Sequence, residues 1–216
     1  MARILIGYSM RSGSTLLQHI LDQHSEIRSY SDLSSVPQLA RMKLGHSVES
    51  HVCVKPMDVV YLRRRPTLEA QFDKRIWLAR DPRDSYLSAR SSGYAYLLWP
   101  PGRRIHGIDV GLLRRWKRIY RRYFDHADQW HLVKYESLVR DPDRVIGDLL
   151  DYLELPPESL LPFEPFQMRK GGDYKLTQTT TVNPQSAGRH RQRLTAAQQE
   201  LFREYCGDEM GKLGYR

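Results

Sequence analysis

Residues 3–21, RILIGYSMRSGSTLLQHIL, narrow the possible folds more than any other stretch of the chain. Ile4, Leu5 and Ile6 make a short continuous apolar run suited to a buried strand, and residues 7–14 form a turn rich in glycine and hydroxyl groups. Leu16, Leu17, Ile20 and Leu21 then recur with the spacing of one helical face. A strand, a glycine turn and a fresh helix N-terminus make an anion site. The first-turn N–H groups lack intrahelical partners, and the helix dipole favours negative charge there. Ser12, Ser14 and Thr15 add hydroxyl donors and Arg11 a permanently charged planar fork, so the chain opens on a phosphate cradle around Gly13.

Nucleotide kinases and related nucleotidases build such a cradle as G-x-x-x-x-G-K-[ST], with the lysine on the outer phosphates. Gly13 and Thr15 match that spacing and Gly7 stands close to the first glycine's place, but Ser14 occupies the lysine position and Arg11 has entered the loop. A kinase built this way needs another cation. The ATP-dependent alternative therefore stays open at this point only with that cost.

The 216 residues suit one domain, spanning 1–216, with one substantial core. The first strand begins too early for a preceding signal peptide, and no apolar run approaches membrane-spanning length. Cys53 and Cys206 are too few for a disulfide framework and read as buried thiols, which points to a cytoplasmic protein. The net charge of +9 predicts a taste for anions. Much of the excess lies in residues 112–124, LLRRWKRIYRRYF, where Leu112, Trp116, Ile119, Tyr120 and Tyr123 form the apolar stripe. Arg114, Arg115, Lys117, Arg118, Arg121 and Arg122 are left mostly outward, either as a solvated face or as a collar for an anionic cofactor or acidic acceptor. No nucleic-acid module accompanies the charge, so a nucleic-acid partner is not expected.

Further along, residues 22–37 read as polar and turn-like, with a helix from 36 or 37 to about 44. Strands are expected at 52–54, 74–80 and 130–134, a basic turn at 63–66, and helices at about 85–91, 112–124, 142–153 and 196–211, the last capped by Thr195. Residues 93–109 read as a long aromatic loop or lid, and 156–188 as mainly irregular. Strands alternating with helices predict an α/β fold, a central parallel sheet with helices on both faces. Ligands bind beyond the carboxyl ends of such strands. The polar signatures after Ile6, Val54, Ala79 and Val133 all fall there.

A second anion site emerges at one of those ends. Arg80 closes a strand and Ser88 follows eight residues later on the next helix, so a strand–turn–helix sets a guanidinium and a hydroxyl on one side. Two anion sites at separate strand ends imply a ligand with phosphates at both ends. These paired features resemble the sulfotransferases that use 3′-phosphoadenosine 5′-phosphosulfate (PAPS). Residues 10–17, MRSGSTLL, are similar to that family's 5′-phosphosulfate loop, and Arg80-Asp81-Pro82-Arg83-Asp84 through Ser88 to its 3′-phosphate motif. Tyr135-Glu136-Ser137-Leu138 is similar to a family segment whose tyrosine approaches the adenine. Gly188-Arg189 resembles a late cofactor-binding loop, and Leu213-Gly214-Tyr215 the usual ending.

The resemblance implies PAPS as sulfuryl donor, no metal, and a small-molecule or peptide acceptor bearing a hydroxyl or amine. It implies Arg11, Ser12, Gly13, Ser14, Thr15, Arg80, Ser88, Tyr135, Gly188 and Arg189 as the cofactor site. Lys55 corresponds to the lysine on the leaving oxygen, but Met57 stands where aryl and steroid sulfotransferases carry their basic histidine, and methionine takes no proton. Residues 21–24, LDQH, resemble a segment of the tyrosylprotein sulfotransferases, and counting from Arg11 their catalytic glutamate falls at Asp32. Asp32 is one methylene shorter, and in the run SYSDLSS it also suits a turn or helix cap. Glu26 and His51 are the next candidate bases. The missing histidine also keeps open a non-catalytic module that binds nucleotide or nucleic acid. Tyr94, Tyr96, Trp99, Arg103-Arg104 and Lys170-Gly171-Gly172 are candidates for the acceptor side.

Overall fold

The computed structural model describes residues 1–45, 50–63, 66–92, 101–167 and 173–216. In chain order the elements are β1 (Arg3–Tyr8), α1 (Ser14–Leu21), β2 (Ile27–Ser31), α2 (Ser35–Lys43), β3 (His51–Lys55), α3 (Pro66–Glu69), β4 (Lys74–Ala79) and α4 (Pro82–Ser92). A small antiparallel hairpin, β5 (Arg104–Ile105) and β6 (Ile108–Asp109), follows, then α5 (Val110–Phe124), β7 (His131–Lys134), α6 (Tyr135–Arg140), α7 (Pro142–Leu153), α8 (His190–Arg193) and α9 (Ala196–Lys212). Five strands form one parallel sheet in the order β2-β3-β1-β4-β7. From β1 the chain passes to the edge strand β2, returns to β3 beside β1, and then crosses to β4 and β7 on the other side, so β1 lies between the two halves of the sheet.

Consecutive residues of β1, Ile4, Leu5 and Ile6, are all fully buried, as a parallel strand covered on both faces must be. Trp77 of β4 is the largest of the fully buried side chains. It stacks on Tyr123 of α5 at 4.6 Å and meets Trp130 edge-on at 5.3 Å. Burying one such ring contributes roughly 1.5–3 kcal/mol, with about 0.5–1.5 more for each well-placed aromatic pair. Gly7 faces Trp77 across the ladder, and a β-carbon there would lie 2.4 Å from the indole. That close approach seats β1 against β4, and with it the loop β1 carries. Thr195 and Gln198 form a reciprocal capping box at the start of α9. Cys53 and Cys206 are free and buried. Among the described residues no helix is long and apolar enough to cross a membrane.

The register aligns the carboxyl ends. Ser31 lies opposite Lys55, Leu5 opposite both Val54 and Arg75, and Ala79 opposite Lys134. Several elements differ from the expectations. Residues 27–31, read as polar turn, form the edge strand β2. Only Ile27 and Ser31 are buried and Arg28 is exposed, so an edge strand with one neighbour shows almost no apolar signal. Helix α4 starts at Pro82 rather than near residue 85, proline suiting the first turn, where its missing N–H is no loss. The expected loop 93–109 contains the β5–β6 hairpin, while Tyr94, Tyr96 and Trp99 lie outside the described residues, as do Lys170-Gly171-Gly172 and part of the basic turn at 63–66. Arg115 is buried rather than outward. It follows Leu112 by three residues and precedes Ile119 by four, which sets it on the apolar side of α5.

Candidate functional site

A cavity of about 750 Å³ opens beyond the carboxyl ends of the strands. Arg11, Gly13, Ser14, Thr15, Asp32, Lys55, Arg80, Ser88, Tyr135 and Arg189 all line it. Two residues expected at the site stand behind the wall. Ser12 is buried beneath the loop, and its hydroxyl has no hydrogen-bond partner among the described residues. Gly188 donates its N–H to Asp84 at 2.6 Å.

The loop after β1 turns on two left-handed residues, Arg11 at φ 60° and Gly13 at φ 91°. A β-carbon on Gly13 would lie 2.4 Å from the Tyr135 ring, so glycine is required for both the angle and the approach. The loop's other anchor is Asp58, which accepts the Met10 N–H at 2.9 Å and an Arg115 guanidinium N–H at 2.5 Å. Burial pushes the Asp58 carboxyl up, against the pull of Arg115 and of the Met10 N–H.

Three cations converge from three strand ends. Arg11 donates to Ser88 Oγ at 3.3 Å and to Asp173 at 2.6 Å. Arg80 donates to the Arg11 carbonyl at 3.0 Å and to the Ser186 carbonyl at 2.7 Å, with its guanidinium carbon 4.1 Å from the centre of the Tyr135 ring. Arg80 Nε is buried without a partner among the described residues, and Tyr135 shares a 2.6 Å hydrogen bond with Ser186. Lys55, buried at the end of β3, donates to Asp32 Oδ1 at 2.8 Å and lies 5.1 Å from the Tyr8 ring centre. Burial holds the Lys55 ammonium below its ordinary pKa, while Asp32 and Asp58 draw it up and Arg11 presses it down. Burial also raises the Tyr8 phenol well above its usual range, with the negative Asp32 and Asp58 adding to it.

Asp32 reaches this corner because it follows directly on Ser31, the residue paired with Lys55, and turns at φ 49° into a 3-10 helix. Left-handed backbone is a position that Asp tolerates better than most residues. The other two candidate bases are elsewhere. His51 begins β3, about 13 Å along the strand from Lys55 at the spacing of extended backbone. There it accepts from the Ala2 N–H and faces Glu26 at 3.7 Å. Arg103 and Arg104 are exposed and do not line the cavity.

Sequence reasoning missed Tyr8, Asp58, Arg115, Asp173 and Ser186. Arg115 carried a signal in its helical spacing, and Asp58 lies three residues after Lys55; the contact of Asp173 with Arg11 spans 162 residues and left none. Asp84 was read only as part of the motif after Arg80. It is fully buried and accepts from the backbone N–H groups of Gly188 and His190 and pairs with the His190 ring, tying α4 to the late loop.

Residues 69–159 match the sequence model described as the sulfotransferase family. No curated protein matches the chain. Among solved structures, the sulfotransferase domain from the curacin biosynthetic pathway is similar with a TM-score of 0.68 and 18% identity, covering 100% of this chain and 98% of that one. A mouse sulfotransferase, SULT7A1, complexed with PAP gives 0.70 at 15% identity, with coverage of 96% and 83%. Retinol dehydratase in complex with androsterone and the inactive cofactor PAP gives 0.57 at 11%, with coverage of 96% and 80%. At these identities the likeness establishes a shared fold.

Proposed function

We propose that the chain is a sulfotransferase that moves a sulfuryl group from PAPS to the hydroxyl, or amine, of a small-molecule or peptide acceptor, a reading supported by the match of residues 69–159 to the sulfotransferase family model and by the shared fold. The observation that carries this reading is the convergence of Arg11, Lys55 and Arg80 on one cavity with Asp32 bound to Lys55. The residues fit such a donor. Arg80 holds a buried N–H without a partner among the described residues and stacks on Tyr135, Ser88 stands beside Arg11, and Gly13 lets the turn approach the Tyr135 ring where a β-carbon would collide with it. Arg80 and Ser88 would hold the 3′-phosphate, Tyr135 the adenine side, and Arg11 with Gly13, Ser14 and Thr15 the 5′ end, while Arg189 faces the cavity from the late loop that the Gly188–Asp84 bond anchors.

The donor supplies the sulfuryl group, whose bond to the bridging oxygen breaks as the acceptor oxygen bonds to sulfur. Asp32 takes the acceptor's proton. A positioned general base is typically worth about 10²–10⁴ in rate. Lys55 neutralises the charge gathering on the departing oxygen, and Arg11 the charge on the oxygens around sulfur. A sulfuryl group carries less negative charge than a phosphoryl group, so fixed cations can do what magnesium does in kinases.

Calorimetric titration with PAP, Mg–ATP and an oligonucleotide, followed by transfer of labelled sulfate from PAPS into phenols, sugars, lipids and tyrosine peptides, tests the proposal. It expects tight PAP binding and label transfer that persists in EDTA. Preference for Mg–ATP, or PAP binding without transfer to any acceptor, refutes it.

A further inference from the structure

Helix α2 is turned the wrong way round for a helix bathed in water. Toward the protein it presents Ser35, Gln38 and Met42, which are 1%, 9% and 3% exposed, with Leu39 half-buried. Outward it presents Val36, 55% exposed, Pro37, Ala40 and, at its C-terminal cap, Leu44, 76% exposed. At 3.6 residues per turn these four fall in one stripe along the helix, and the exposed Arg41 and Lys43 project about 80° to either side of its centre. Leu33, 57% exposed just ahead of the helix, continues the stripe into the cavity, whose wall it shares with Asp32.

We infer that α2 lies on an anionic lipid surface and seats the mouth of the cavity against it. An apolar stripe between two basic flanks is the arrangement by which a helix rests in a membrane interface, its apolar side in the acyl boundary and its cations at the headgroups. The net charge of +9 favours the same partner. The other occupants fit less well. A helix face is convex, so a single apolar chain laid on it would keep much of its own surface in water. A second copy docked two-fold on this face would crowd both copies' Arg41 and Lys43 around one contact. Because the stripe ends at Leu33, whatever it rests on lies beside Asp32 and Lys55.

Cosedimentation of the full chain with vesicles decides the matter, using phosphatidylcholine alone and phosphatidylcholine mixed with phosphatidylglycerol. Wild type partitions onto the mixed vesicles. The double substitution V36S/L44S, which leaves every charge in place, lowers that partitioning by about tenfold or more, and V36I/L44M retains it. Arg41→Glu with Lys43→Glu weakens binding and flattens its dependence on salt. Equal binding by wild type and V36S/L44S overturns the inference, because charge alone would then explain it. So does absence of wild-type binding, or a wild-type dimer that V36S/L44S dissociates. Unchanged PAP affinity in V36S/L44S shows that the variant is folded. Surface binding does not rest on the proposed reaction: vesicle binding without transfer to any acceptor refutes only the reaction, and transfer to a soluble phenol without vesicle binding refutes only the surface.

Discussion

Asp32→Asn separates the roles of the Asp32–Lys55 pair. The backbone at Asp32 has φ 49°, and Asn is at least as tolerant of left-handed backbone as Asp, so the turn survives. The amide oxygen still accepts from Lys55, now across a neutral rather than a charge-assisted bond. The expected loss of stability is about 1–2 kcal/mol, well short of the roughly 3–5 expected when a buried charge loses its partner entirely. The amide takes no proton, so kcat falls about 10²–10⁴-fold, or about 3–5 kcal/mol in the barrier. The substitution also removes the main influence raising the Lys55 pKa, leaving burial and Arg11 to lower it further. Transfer needs the ammonium, so the variant's residual rate declines with rising pH earlier than the wild-type rate does. Stability moves the opposite way. A buried lysine with a depressed folded pKa binds fewer protons than the unfolded chain between that value and about 10.4, so stability rises with pH across the window. The window extends to lower pH in the variant. Labelled-sulfate transfer gives kcat, calorimetry gives PAP affinity, and thermal melts across pH give the linkage. Turnover at the wild-type rate would sink the base assignment. A variant that loses turnover only in proportion to lost PAP affinity would make Asp32 part of binding instead.

Three further substitutions probe the surrounding frame. Arg80→Ala removes a fork bonded to two carbonyls and stacked on Tyr135, and PAP affinity should fall about 10²-fold by calorimetry. Arg80→Lys should not restore it, since an ammonium reproduces neither the fork nor the stack; unchanged affinity in the alanine variant removes Arg80 from the site. Gly13→Ala combines a left-handed angle with a β-carbon 2.4 Å from the Tyr135 ring. It should cost about 2–3 kcal/mol and lower Tm by roughly 4–12 °C, and a melt at the wild-type temperature contradicts the geometry. Burial raises the Asp84 carboxyl, but hydrogen bonds from the His190 ring and from the His190 and Gly188 N–H groups outweigh it and leave its pKa depressed. Its stabilisation is therefore present above the unfolded value of about 3.9 and lost as pH falls through the folded one. Asp84→Asn should flatten that acid limb in thermal melts across pH, and an unaltered acid limb would show that Asp84 does not set it.

Much of this protein is written locally. A buried strand, a left-handed glycine and a helix start lie within nineteen residues, and the Arg80–Ser88 pair within one strand–turn–helix, so spacing alone predicts that each presents its polar groups at a strand end. The Thr195 cap is legible for the same reason, since its partner is three residues away. Other features depend on contacts that local spacing does not encode. Strand β2 is polar because it has a single neighbour, and only its register with β3 sets Ser31 opposite Lys55 and brings Asp32 to the buried ammonium. The helical spacing of Arg115 puts it on the apolar side of α5, but only the packing of α5 turns it onto Asp58, and only the fold leaves Val36 and Leu44 on the outward side of α2. Periodicity records which residues share a face of their own element. Which neighbour that face meets, and whether it meets one at all, is decided by strand register and helix packing between segments far apart in the chain.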